Sequence, residues 1–161
     1  MPPTRPAPVQ PAPACAVRGL IPMAHARDLE ATVAFYASLG FECDGRLEDA
    51  RGRLQWVSLS IRSGTAAPEN GGPSIMFARA AEPVVPEQQA VLFYMYSRDV
   101  AALRTHLLAS GLADGGAYRG QRGPNQGRMV VFDLAHPEYM SAGEIRVSDP
   151  DAYCILVGQL G

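Results

Sequence analysis

Two segments of the chain carry apolar and small side chains at helical spacing. The stripes are Leu29, Thr32, Val33 and Tyr36 in the first segment, and Val100, Leu103 and Leu107 in the second. Each stripe follows an aspartate, Asp28 or Asp99, whose carboxylate is suited to accept hydrogen bonds from the free amides of a first helical turn. A glycine, Gly40 or Gly111, follows each stripe and favours a left-handed stop. The pattern predicts two helices with the same start and stop signals.

The two predicted helices belong to a longer repeat. Residues 23–41 align without a gap on residues 94–112, at the constant offset of 71 residues that also separates Asp28 from Asp99. A constant offset of this size indicates a repeated structural module.

Strand candidates surround both helices in the same order. They are residues 19–26, 41–47, 54–61 and 74–78 in the first half, and 91–97, 116–118, 129–134, 144–147 and 153–157 in the second. The sequence therefore predicts an α+β chain of two tandem βαβββ modules. Their bounds are 18–80 and 91–161, joined by a linker at 81–90, with two loops inserted in the second module at 120–127 and 135–142.

Composition narrows the class of protein. Residues 1–17 contain six prolines, which predicts an extended or disordered tail. A net charge of −2 provides no basic surface for nucleic acid, and no apolar run reaches the roughly 18 residues of a membrane helix. The three cysteines, Cys15, Cys43 and Cys154, form no CxxC pair, which favours unpaired thiols in a reducing compartment. We expect a cytoplasmic protein with no nucleic-acid or membrane partner.

The repeat resembles the vicinal oxygen chelate superfamily, which includes glyoxalase I, extradiol dioxygenases and bleomycin-resistance proteins. The resemblance covers residues 18–159 and depends on the two βαβββ units, the helix sequence from Asp28 to Phe41 and a final hairpin at 149–153. It implies curved mixed sheets, the glyoxalase/bleomycin-resistance fold, which form half-cups around a cavity. Ala152 stands where the family's final turn usually has glycine, and a left-handed alanine there would cost about 1 kcal/mol.

In metal-using members of that superfamily, the first and last strands of each module supply His, Glu or Gln ligands. The matching positions here are Ile21 and Leu92, seven residues before the two helix caps, and Met76 and Leu156 on the last strands. Three aliphatic chains and a thioether are poor ligands for Mg, Mn, Fe or Zn. The resemblance is therefore nearest to the metal-free bleomycin-resistance members, with no cofactor expected.

Strand alternation predicts which side chains share the cavity. Met23 and His25 share a face with Ile21, and Tyr94 and Tyr96 share one with Leu92. Aromatic rings with hydroxyl groups suit a flat amphipathic ligand, although the same side chains could serve only to pack the sheet. Two more candidates are Trp56, as core or cavity wall, and Cys154, which alternates with Leu156.

Catalytic candidates are few. Glu144 and Arg146 alternate with apolar residues, which favours a solvent-exposed pair over an acid/base role, although Glu144 is the acidic residue to test first if activity is found. His136 and Glu138 in the second inserted loop are too few for a metal site. The leading hypothesis is a homodimeric protein that binds a small amphipathic or aromatic molecule, acting by sequestration or resistance. The alternatives are a lyase, isomerase or dioxygenase with a relocated divalent metal, or a domain that binds a protein partner.

Overall fold

The computed structural model describes residues 21–62, 72–85, 92–120 and 128–160. The predicted tail at 1–17 with Cys15, most of the inserted loop at 120–127 and half of the predicted linker at 81–90 lie outside these residues. No helix in the described ranges has the length and apolar character needed to cross a membrane.

The first module is a four-stranded sheet with one helix. Its elements are β1 (Met23–Ala26), α1 (Leu29–Ser38), β2 (Glu42–Glu48), β3 (Leu54–Ser60) and β4 (Ser74–Arg79). The strand order is β1-β4-β3-β2, with β1 parallel to β4 and the other pairs antiparallel. Pro22 has no amide proton to donate, and the strand begins directly after it.

The second module repeats this arrangement with one short strand added. Its elements are β5 (Leu92–Ser97), α2 (Val100–Ala109), β6 (Ala113–Asp114), β7 (Val130–Val131), a 3-10 helix (Glu138–Met140), β8 (Glu144–Ser148) and β9 (Cys154–Gln159). The order is β5-β9-β8-β7-β6, with β5 parallel to β9. The predicted α+β class and the two modules of βαβββ type are confirmed. The strand predicted at 116–118 is wrong, because the pairing with β7 ends at Asp114 and Gly116 turns the chain with a φ of 60°.

Both helices begin and end as the repeat predicts. Asp28 Oδ1 accepts from the amides of Glu30 and Ala31 at 3.1 and 3.2 Å. Asp99 Oδ1 accepts from the amide of Ala102 at 2.8 Å. The glycines that follow, Gly40 and Gly111, have φ values of 90° and 97°, in the left-handed region where a side chain would be strained.

One face of each sheet is buried against its helix. In the first module, Tyr36 of α1 lies against Phe77 of β4 with ring centroids 4.9 Å apart, and both are fully buried. Along β1 the side chains alternate, so that Ala24 and Ala26 are buried while Met23 and His25 are exposed. We call the face of each sheet opposite its helix the open face.

The final hairpin joins the two modules. The Tyr153 hydroxyl accepts from the backbone N–H of His25 at 3.3 Å and donates to its carbonyl oxygen at 3.0 Å. Arg27 Nε lies 2.6 Å from Asp151 Oδ1, and the Arg27 backbone N–H also points to this carboxylate. Ala152 occupies the turn with a φ of 63°, so alanine takes the left-handed conformation that usually selects glycine. These contacts, which we call the module joint, satisfy part of the free edge of β1.

Candidate ligand-binding face

Three rows of side chains cross the open face of the second sheet. Strand register defines them as Leu92, Cys154, Ser148 and Val130; Tyr94, Leu156, Arg146 and Phe132; and Tyr96, Gly158 and Glu144. The strands thus place aromatic rings, one arginine and one glutamate on a single surface. The alternation predicted for Leu92, Tyr94 and Tyr96 is present, and all three side chains are exposed.

A buried carboxylate lies in the third row of this face. Glu144 is only 3% exposed, and its two oxygens accept from two tyrosine hydroxyls. Tyr94 donates to Oε2 at 2.9 Å, and Tyr139 of the inserted loop donates to Oε1 at 3.1 Å. Desolvation and the contact with Glu144 raise the pKa of Tyr94 to about 12, so this hydroxyl keeps its proton at neutral pH. The three side chains form a fixed hydrogen-bonded unit.

The exposed position that strand alternation also allowed for Glu144 is therefore wrong. Glu144 does lie on the face opposite Ile145 and Val147, but this face is covered at that point. The loop at 135–142 folds back through the bridge between Ala135 and Glu144 and places Tyr139 against the carboxylate. Burial here results from a loop contact that the strand pattern does not contain.

Gly158 makes room for this unit, because Tyr94 must reach across β9 to contact Glu144. A Cβ atom at position 158 would lie 2.7 Å from the Tyr94 hydroxyl and 2.8 Å from Met140 Cε. Both separations are shorter than side chains tolerate without moving. A glycine on β9, between the strands of Tyr94 and Glu144, thus leaves room for the tyrosine side chain.

Gly158→Ala is expected to displace the Tyr94 hydroxyl and to lower the free energy of unfolding by about 1–2 kcal/mol, the usual cost of overpacking. Urea unfolding at pH 7 measures the loss. Tyr94→Phe removes the hydroxyl that the new methyl group meets, so the losses in the double variant should be less than additive. Fully additive losses would contradict the close contact between Tyr94 and Gly158.

Arg146 occupies the neighbouring row and interacts with an aromatic pair. Its guanidinium carbon lies 4.2 Å from the centroid of the Tyr118 ring, and Tyr118 meets Phe132 edge to face at 5.2 Å. Stacking of a guanidinium on a ring is a favourable contact that still leaves donors free at its edge. The open face therefore has a positive group on a flat aromatic surface beside the carboxylate unit.

Cys154 lies on the open face but is not an activated nucleophile. Burial raises the pKa of its thiol; the positive charge of Arg146 opposes this with a smaller effect, and the nearby Glu144 adds a still smaller increase. A raised pKa keeps the sulfur protonated at neutral pH, and it is the thiolate that attacks. Cys154 and Leu156 are thus apolar parts of the surface, with Leu156 buried.

The open face of the first sheet is simpler. Register places His25, Ala78 and Trp56 in one row, and Met23, Met76 and Ser58 in the next. Trp56 is half-buried, and its ring covers Gly45, where a Cβ would lie 3.0 Å from Cζ3. Met23 is 61% exposed, and His25 is exposed as well. This face offers a thioether and indole surface with one imidazole.

The four positions at which the family resemblance placed metal ligands hold no suitable donors. Met76 lies opposite Met23, and Leu156 lies opposite Tyr94, so the two halves match in register. Ile21 precedes β1 and is exposed. Together with Leu92, these side chains provide hydrocarbon and one thioether, which do not fit a divalent metal. Within the described ranges, no group of three His, Cys, Asp or Glu side chains is placed to bind a metal elsewhere.

Three aromatic residues of the second open face were not predicted as site residues: Tyr118, Phe132 and Tyr139. Tyr139 had a visible signal, since it lies in an inserted loop beside His136 and Glu138. His136 and Glu138 do not take part in the contact between Tyr139 and Glu144. His136 Nδ1 lies 2.9 Å from the carbonyl oxygen of Ser141 instead, and Glu138 is exposed. Loop aromatics have no periodic pattern from which their direction can be predicted.

Solved structures with the same fold include antibiotic-binding proteins. A bleomycin-binding protein in complex with bleomycin is 19% identical with a TM-score of 0.60, over 90% of this chain and 100% of that one. TnmS3, an antibiotic binding protein from Streptomyces sp. CB03234, is 17% identical with a TM-score of 0.55, over 91% and 99%. A glyoxalase-related enzyme from Clostridium phytofermentans is 13% identical with a TM-score of 0.63, over 91% and 97%. No protein-family model and no curated protein sequence matches the chain.

These similarities agree with the two modules and the final hairpin. The chain has the fold of these bleomycin-binding and glyoxalase-related structures, as the repeat indicated. The fold is shared by binding proteins and enzymes, so the side chains of the open faces must distinguish between the two.

Proposed function

We propose that this protein binds a small amphipathic or aromatic molecule without a metal, as a cytoplasmic homodimer that sequesters its ligand. The observation that carries the proposal is the aromatic surface of the second open face. Tyr96 and Tyr139 are 59% and 66% exposed there, beside the polar groups of Glu144 and Arg146. Flat apolar area with a few fixed polar groups is the usual composition of a small-molecule site.

The bleomycin-binding protein and TnmS3 support the binding function through their shared fold. The metal-free part of the proposal is supported by the apolar side chains at the four superfamily positions. An alternative enzyme with a relocated metal would draw on His25 or His136, and both of these imidazoles are exposed on separate modules. Metal analysis of protein purified without chelator tests this alternative. One equivalent of Zn, Ni, Fe or Mn that is lost in a His25→Ala or His136→Ala variant would overturn the metal-free proposal.

Apolar side chains that remain exposed on a single chain support the proposed dimer. Large apolar side chains are exposed on the open faces and at the edges of both sheets: Met23, Leu47, Leu92 and Tyr96. Exposed apolar area of this extent favours association, and a two-fold pairing of half-cups would enclose it. Light scattering during size-exclusion chromatography should give twice the mass of the chain.

A thermal-shift screen with flat aromatic amphiphiles tests the binding function. A true ligand at 100 times its dissociation constant should stabilise the folded protein by about 2.7 kcal/mol. Tyr96→Ala should weaken binding, since it removes an exposed ring of the site. His106→Ala removes an exposed side chain of α2, which packs on the other side of the sheet from the open face, and serves as a control for general destabilisation. Absence of any ligand that distinguishes these two variants would count against the proposal.

A further inference from the structure

We propose that the second open face recognises an organic cation, held against the rings of Tyr94, Tyr96 and Tyr139 above the carboxylate of Glu144. This inference rests on the proposed small-molecule binding and names the chemical class of the ligand.

The carboxylate of Glu144 is buried without a cationic partner among the described residues. Its hydrogen bonds come from two neutral hydroxyls, one to each oxygen, which suits an ionised carboxylate that accepts at both atoms. A glutamate is seldom fully buried unless it is paired with a positive group. The unit formed by Glu144 and its two tyrosines therefore presents negative potential to this face.

The rings above the carboxylate form two inclined walls. The centroids of Tyr94 and Tyr96 are 5.3 Å apart with an angle of 56° between the ring planes. Tyr139 approaches the same carboxylate from the inserted loop and is largely exposed. Aromatic faces attract ammonium groups through their quadrupole, and a hydroxyl that donates to a carboxylate leaves its ring richer in electrons. A methylated or alkylated ammonium suits this surface better than a metal ion does, because few oxygen donors remain free.

Arg146 does not occupy the proposed site. Its guanidinium lies over Tyr118 in the neighbouring row, and no ion pair links it to Glu144 within the described ranges. The flat body of a ligand can lie along the row of Tyr94, Leu156 and Arg146, while its cation reaches the tyrosines. The geometry thus favours a planar aromatic molecule with a positively charged amine at one end.

A matched pair of probes tests the inference. One probe is a naphthalene with a trimethylammonium group on a short linker, and the other carries an isosteric neutral tert-butyl group. Isothermal titration at low salt should show about tenfold tighter binding of the cationic probe. Glu144→Gln should reduce this preference to less than about threefold. Glu48→Gln changes the net charge equally at an exposed position of the first module and should leave the preference intact.

Tyr139→Leu provides a second variant, at a side chain that is itself 66% exposed, and it should also lower the preference for the cationic probe. Equal binding of the two probes to the wild-type protein would overturn the cation inference and leave the proposed function standing. A preference that survives both Glu144→Gln and Tyr139→Leu would overturn the assignment to this face. Binding of neither probe, together with a negative screen of aromatic amphiphiles, would overturn both proposals.

Discussion

Arg27→Met is expected to lower the free energy of unfolding by about 2–3 kcal/mol, through loss of the charged contact at the module joint. The Arg27 side chain bonds to the Asp151 carboxylate at 2.6 Å and to the Pro150 carbonyl at 2.7 Å. The Asp151 side chain is only 2% exposed, so the variant leaves a buried charge with the backbone N–H of residue 27 as its hydrogen-bond donor. The loss should be smaller than the roughly 3–5 kcal/mol of fully buried pairs, because Arg27 itself is 49% exposed.

The internal repeat provides a matched control for this prediction. Arg98 precedes the second helix cap as Arg27 precedes the first, yet it is exposed and has no ion pair in the part of the chain that the structure describes. Arg98→Met should change the stability by less than about 0.5 kcal/mol. Urea unfolding at pH 7 measures the stability of both variants. Arg27→Met should unfold at a lower urea concentration with an unchanged slope of free energy against urea. Equal losses in the two variants would show that the contact with Asp151 is not the cause.

Local patterns in the sequence were sufficient for most of the fold. Asp28 and Asp99 predict where the helices begin, since a capping carboxylate acts within three residues of itself. The strand pairs then follow from the repeat, and Met23 and Tyr94 occupy equivalent positions in their parallel pairs. The short strand β6 could not be predicted, because two residues carry no period and the neighbouring glycines allow several paths.

The candidate site was less predictable, because its central contacts cross between distant parts of the chain. Alternation placed Tyr94 on the open face, but the burial of Glu144 depends on the reach of Tyr94 over Gly158 and on the direction of Tyr139. A strand pattern distinguishes two faces of a sheet and contains no information about which loop covers one of them. Alternation therefore predicted which strand residues share the open face, and it did not predict the residues placed there by tertiary contacts.

Asp149→Asn is expected to stabilise the protein at pH 8 much more than at pH 5. Asp149 is 1% exposed at the module joint, and burial raises its pKa from 3.8 to about 7. Between about pH 4 and pH 7 the folded state thus keeps a proton that the unfolded state has lost. The free energy of unfolding must then fall as pH rises through this range, by roughly 4 kcal/mol at about 1.4 kcal/mol per pH unit. Asparagine removes the titration and can still accept from the Asp151 and Tyr153 amides, both at 2.9 Å.

Urea unfolding at pH 5, 6, 7 and 8 gives the free energy of unfolding of the wild type and the variant. The difference between the two values should grow as the pH rises. Asp114→Asn is a suitable control, because hydrogen bonds from the Gly116 amide and Arg104 lower the pKa of Asp114. The stabilisation that Asp114 contributes is already complete at pH 5, so its variant should run parallel to the wild type up to pH 8. If Asp149→Asn also ran parallel, the buried carboxyl at the module joint would not titrate in this range. The joint would then hold Asp149 ionised through its two backbone amides, with the cost of burial offset by those bonds.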